Sequence, residues 1–323
     1  MFDEPNQEKY TLTQPGGGGG EKSRGILKLL LLAAAAGLTL ACGYWLWTRR
    51  EPAPVTPIST VTSEQSAAKP VTKPIVKPVV IPAGEEINAV NECLALIKKN
   101  DYRAARQKAF AILNSSQNPD AVRKTEELLS QINIELVTSP RQMEEKQNYT
   151  VKSGDTLDKI SKQFGATIAL IQKNNNIRGS IIRPGDKLRV FSATMAIRVS
   201  KTDNDLLLFA NDRFFKRYKV GTGKHGTTPV GTFKINDKIK NPPWWTEGRV
   251  VPFGDKENVL GTRWLSITAT GDTEPFSGYG IHGTWEDETI GSQSSAGCIR
   301  LLNKDVEELF MIVPIGTKII ISE

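Results

Sequence analysis

The run LLLLAAAAGLTLACGYWLW, from Leu29 to Trp47, holds 19 residues without a charge and cannot belong to the same folding unit as the polar sequence on either side of it. As a helix it would be about 28 Å long, close to the roughly 30 Å of a bilayer's hydrocarbon core. Apolar residues continue past Cys42 and the run ends in aromatics suited to a membrane interface, which fits an uncleaved anchor better than a signal peptide. Lys9, Lys22, Arg24 and Lys28 precede the run, and Arg49 and Arg50 follow it. That bias places the N-terminus in the cytoplasm and everything after Arg50 outside it.

The flanks set the domain plan. Residues 1–24 are polar, contain GGGGG and read as a disordered tail, with the anchor at 25–50. Residues 51–84 are proline-rich, with KPVTKPIVKP repeating every four residues, and predict an extended linker. At about 3.1 Å per residue it reaches on the order of 90 Å. Residues 85–140 carry apolar positions at helical spacing: Val90, Leu94 and Ile97, then Ala105, Ala109 and Ile112, then Leu128, Leu129 and Ile132. Asp101 and Asn118 are candidate caps, so a small helical hairpin of tetratricopeptide type is expected, with Cys93 in its core. One such unit buries little by itself, which leaves it as a spacer or a surface for a protein partner.

Composition excludes some roles. The formal net charge is +7, but the basic residues are scattered with no basic, aromatic-interleaved helix. Nucleic acid is therefore not expected, and an anionic envelope suits the charge better. Cys42, Cys93 and Cys298 are spaced for neither a disulfide framework nor a metal site, and neither a metal nor a cofactor is expected.

Two stretches carry chemistry. Residues 149–191 read as strand, helix, helix, strand: Ile160 and Phe164 lie four apart on one helical face, Asp155 is a candidate cap, and RPGD turns into the last strand. With its SGDTL start, asparagine cluster and PGD-x-L end, the stretch resembles a LysM domain, an α+β unit of βααβ order. The resemblance implies binding to N-acetylglucosamine-containing glycans, chiefly peptidoglycan, in a groove lined by Gly154, Asp155, Thr156, Ile181, Ile182 and Pro184.

From Met195 to Glu323, short alternating segments such as MAIRVS, DLLLFAN and GTFKIN predict an all-β, sandwich-like domain. Cys298 lies in GSQSSAGCIRLLN ahead of a helical VEELF, and His282 in YGIHGT. On spacing alone a lone cysteine is more often a packed residue than a nucleophile; a nucleophile needs a neighbouring base or helix terminus to form its thiolate. TTPVGTF at 227–233, NPPWW at 241–245, YGIHGTW at 279–285 and S-x-GCIRLLNKD at 295–305 stand in the order of the YkuD family of L,D-transpeptidases, which this stretch resembles.

The resemblance implies that Cys298 attacks the amide between the third and fourth stem-peptide residues of peptidoglycan, with transfer to an amine. His282 would be the base of a thiolate-imidazolium pair, Gly283 would orient its ring through the backbone carbonyl, and the amides of Gly297 and Cys298 would hold the oxyanion. Tyr279, Ser295, Arg300 and Asn303 would meet the substrate, Arg300 alternatively bracing the loop. Ala296 departs from the family, which has histidine there. A decayed, non-catalytic wall-binding scaffold and a water-accepting L,D-carboxypeptidase remain open beside the transpeptidase.

Overall fold

The computed structural model describes residues 84–323 apart from 247 and 276, all within one compact unit, Pro74–Glu323. The tail, the expected span Leu29–Trp47 and nearly all of the proline-rich linker lie outside the described residues. Among the described residues no helix is long and apolar enough to cross a membrane.

The first region contains three helices, one more than a hairpin: α1 (Glu86–Lys98), α2 (Tyr102–Ser115) and α3 (Pro119–Thr138). Each boundary has a local cause. Asp101 accepts a hydrogen bond from the Ala104 amide at 3.1 Å, and Asn118 accepts from the Asp120 and Ala121 amides with Pro119 in the first turn. Cys93 is fully buried and its thiol donates to the Ala105 carbonyl, as befits a core cysteine.

The LysM-like unit runs β1 (Lys146–Thr150), α4 (Leu157–Phe164), α5 (Ile168–Asn175) and β2 (Lys187–Phe191), with β1 and β2 antiparallel. Thr156, not Asp155, caps α4, its hydroxyl accepting from the Lys159 amide at 3.1 Å. Asp155 instead accepts from the Tyr149 hydroxyl and the Lys152 amide, closing the turn ahead of the helix. Val151, Leu157, Ile160, Ala166, Ile171, Leu188 and Val190 form a separate small core.

The remaining strands are β3 (Met195–Ser200), β4 (Asp205–Ala210), β5 (Arg213–Lys219), β6 (Thr222–Gly223), β7 (Gly231–Lys240), β8 (Trp244–Thr246), β9 (Arg249–Val251), β10 (Arg263–Ala269), β11 (Gly280–Thr284), β12 (Gln293–Ser295), β13 (Ile299–Leu302) and β14 (Lys318–Ser322). Eight of them make one sheet in the order β13-β11-β10-β7-β14-β3-β4-β5. The all-β, sandwich-like expectation is thus corrected to a β-rich domain built on a single mixed sheet. Helix α6 (Asn303–Ile312) supplies part of its core, because Val306, Leu309 and Ile312 recur at helical spacing and are all buried. Alternation along β3 buries Met195, Ile197 and Val199, and β11 and β13 contribute Ile281, Ile299 and Leu301 to the same core.

That core does not stop at the sheet. Leu129, Ile132, Leu136 and Val137 of α3 join it, so the helical region's apolar face is covered by the chain's own β-domain. A buried polar cluster fixes the junction. The Asn133 side chain donates to the Phe215 carbonyl of β5 at 2.9 Å and accepts from Arg106 Nε at 2.6 Å, while Arg106 pairs with Glu145 through both terminal nitrogens. Asn133→Ala would strand a guanidinium nitrogen and a carbonyl in the interior, at a cost of about 2–4 kcal/mol. Urea unfolding should show a lower midpoint with an unchanged slope; an unchanged midpoint would mean that the helices do not unfold with the β-domain.

Candidate active site

The site grows from the pairing of β11 with β13, two parallel strands in which Ile281 aligns with Ile299 and His282 with Arg300. Side chains alternate along a strand, so the core placement of Ile281, Ile299 and Leu301 turns His282 and Arg300 to the opposite face. Cys298, one residue before β13, has its sulfur beside the Gly280 backbone, and its thiol donates to the Gly278 carbonyl at 3.7 Å. Carried one residue further, the same register sets Cys298 diagonal to His282 across the strand pair. A Cβ on Gly280 would lie 2.7 Å from the Trp264 ring, which stacks on His282 at a centroid distance of 5.7 Å.

His282 is 3% exposed, and its Nδ1 lies 2.6 Å from the Gly283 carbonyl. We assign the proton to Nδ1, which leaves Nε2 as the basic nitrogen. Burial lowers the imidazole pKa to about 4; the Gly283 carbonyl opposes that shift, the nearby Arg300 charge adds to it, and the Leu260 carbonyl opposes it. Burial also raises the Cys298 thiol, against the Gly280 amide and the positive charge of Arg300. Burial thus disfavours each ion taken alone, and the thiolate-imidazolium pair that the resemblance implies would have to draw its stability from the attraction between its two charges and from Arg300 beside the sulfur.

The loop before β13 is held by hydroxyls. Ser295 Oγ accepts from the Gly297 amide at 3.0 Å and donates to the Cys298 carbonyl at 2.6 Å. Ser295 is thus a buried brace of this loop, and it engages the Gly297 amide. Gly297 has φ of +137°, and a Cβ there would meet the Tyr279 ring at 2.4 Å, so only glycine fits between that ring and the loop.

Asn303 is a brace as well: it accepts from the Thr262 amide at 2.9 Å and donates to the Thr284 carbonyl at 2.8 Å, tying the start of α6 to the end of β11. Arg300 Nη1 pairs with Glu286 at 3.0 Å, while its Nε is buried without a partner. Its guanidinium is thereby both a loop tether and a cation facing the cysteine. Trp264, Glu286 and Thr228 were not assigned roles from sequence; only Thr228 lies in a quoted motif, and strand register alone brings Trp264 to the histidine.

In the LysM-like unit, a cavity of about 290 Å³ is lined by Pro140, Asn174, Asn175, Ile177, Ile181 and Arg189, among others. Of the predicted glycan contacts it includes Ile181, which is 78% exposed. Asp155 and Thr156 spend their side chains on the turn and the helix cap, and the Gly154 carbonyl accepts from Lys159. Ile182 packs against the small core, and Pro184 is exposed.

The site thus joins a cysteine and a histidine in a β-rich domain that follows a βααβ module. The family model for the L,D-transpeptidase catalytic domain, YkuD, matches residues 194–321, and that for the LysM domain matches 149–191. YkuD of Bacillus subtilis (strain 168), provisionally named an L,D-transpeptidase, is 37% identical over 182 residues, covering 54% of this chain and 98% of that protein. YqjB of the same organism, named in the same way, is 36% identical over 126 residues, or 39% of this chain and 69% of that protein. An autolysin of Enterococcus faecalis (strain ATCC 700802 / V583) is 60% identical over 42 residues, 13% of this chain and 6% of its own length. The chain belongs to the L,D-transpeptidase family and is an enzyme of that kind, its YkuD domain preceded by a LysM domain.

The resting ionisation of Cys298, whose thiol pKa burial pushes up, has a kinetic signature. Alkylation of Cys298 by iodoacetamide should accelerate with pH through and beyond about 8.5, the ordinary thiol value, without levelling near neutrality. A plateau already reached below about pH 6 would reveal a preformed ion pair.

Proposed function

We propose that the chain is a peptidoglycan L,D-transpeptidase anchored to the cell membrane through Leu29–Trp47, with its LysM and catalytic domains outside the cytoplasm. The register that aligns His282 with Arg300, two residues on from Cys298, is the observation that supports the mechanism. Cys298 attacks the carbonyl of the third stem-peptide residue while its proton passes to His282 Nε2. The carbon–nitrogen bond to the terminal D-alanine breaks, and the imidazolium returns the proton to the departing amine. The thioester is then attacked by the amine of a second stem peptide, His282 taking up that proton as the new amide forms and the thiol is restored. Arg300, whose buried Nε has no partner, is suited to the carboxylate of the departing D-alanine.

The LysM domain and the anchor serve the reaction through concentration. Tethering converts the encounter with a stem peptide into an intramolecular one, and a proline-rich spacer on the order of 90 Å long sets the reach. Ile181 is the LysM contact best placed for glycan, being exposed on the rim of the cavity.

Two measurements test this reading. Residues 84–323 incubated with a carbapenem, a β-lactam acyl donor, should gain one adduct by intact mass that Cys298→Ala abolishes; an equal adduct on the variant would remove Cys298 from the mechanism. Ile181→Asp should weaken pull-down of the chain by purified sacculi several-fold while leaving the adduct unchanged, and undiminished pull-down would exclude Ile181 from the glycan surface.

A further inference from the structure

The backbone of Gly297 and Cys298 offers four polar groups. Three are held: the Gly297 amide by Ser295 Oγ, the Cys298 carbonyl by the same hydroxyl, and the Gly297 carbonyl by Thr228 Oγ1 at 2.9 Å. The fourth, the Cys298 N–H, donates to nothing among the described residues. Thr228 is 1% exposed, and its oxygen already accepts from the Gly223 amide at 2.8 Å. That acceptance directs its single hydroxyl hydrogen to the Gly297 carbonyl. The Gly297 carbonyl and the Cys298 N–H belong to one planar trans peptide unit and point in opposite directions. Fixing the carbonyl against Thr228 therefore fixes where the amide points, on the side away from the Thr228 segment.

We propose that Thr228 is a positioning residue for acyl transfer: by holding the Gly297 carbonyl it aims the Cys298 N–H at the oxygen that becomes an anion when the Cys298 sulfur attacks. Glycine at 297 makes such a clamp necessary, since its φ of +137° is one that no Cβ-bearing neighbour would enforce. The hole then rests on the nucleophile's own amide, with the Gly297 amide spent on Ser295. This assignment rests on Cys298 being the acylated residue, and the controls below separate the two claims.

The test compares Thr228→Val, which keeps the shape and removes the hydroxyl, with Thr228→Ser, which retains the hydroxyl. Acylation by a carbapenem passes through a tetrahedral oxyanion, whereas alkylation by iodoacetamide does not. In residues 84–323, T228V should lower the maximal acylation rate constant about 10–100-fold, less than the roughly 100–1000-fold of removing an oxyanion donor because the amide is misaimed and not lost, with the half-saturating concentration changed less than about twofold. T228S should stay within about threefold of the parent, and the alkylation rate of T228V within about twofold. Thr228→Ala makes the same comparison should the valine variant not fold, as judged by its thermal transition. Wild-type acylation by a folded variant without the hydroxyl would overturn the proposal, as would an alkylation rate that falls by the same factor as acylation. A parent chain that takes no adduct would overturn the acyl-transfer reading instead.

Discussion

The parallel pairing of β11 with β13 is the constraint on which the site depends. Parallel neighbours cannot be joined by a tight turn, so the chain must leave the end of one strand and return to the start of the other through a crossover of about a dozen residues or more. The crossover from Trp285 to Cys298 carries Glu286, Ser295 and Gly297 and ends on the cysteine. The nucleophile loop is thus the connection that the sheet requires. Its last residue arrives beside Gly280 because the register aligns His282 with Arg300.

Burial then sets the electrostatics. His282 sits under Trp264 with little access to water, and the same enclosure opposes a charge on Cys298. Each charge taken alone is therefore disfavoured in this place. In the proposed mechanism negative charge develops on the substrate oxygen as the sulfur attacks. Electrostatic help is therefore most effective at that oxygen, where a preorganised amide costs no reorganisation during the reaction. Ser295, Thr228 and Asn303 hold the backbone around the loop through uncharged groups, and Arg300 brings its charge beside the sulfur, paired with Glu286.

The helical region bears on this through the far edge of the sheet. Strand β5 is the edge opposite to β13, and α3 covers it with Ile132 and Leu136 in the common core and Asn133 bonded to the Phe215 carbonyl. An edge strand left open is prone to pair with other chains, and the covering helix removes part of that hazard. Apolar periodicity made each of these helices legible from the sequence. Their partner was not, because a periodic face states that something is buried and not against what. The Arg106–Asn133–Glu145 cluster and its bond to Phe215 depend on contacts between residues up to 82 positions apart, for which no local pattern exists.

Local chemistry did determine much of this protein. Caps at Asp101 and Asn118, the βααβ order of residues 149–191, and the motifs around His282 and Cys298 are all short-range features, and each is readable because it answers to its neighbours in the chain. Tertiary structure decided what those residues do. Ser295 and Asn303 spend hydrogen bonds on holding backbone, Thr156 and not Asp155 caps its helix, and burial disfavours a lone charge on either Cys298 or His282. The physical reason is the same in each case: a polar group's role is set by which partner satisfies it first, and that partner is chosen by packing between strands distant in sequence.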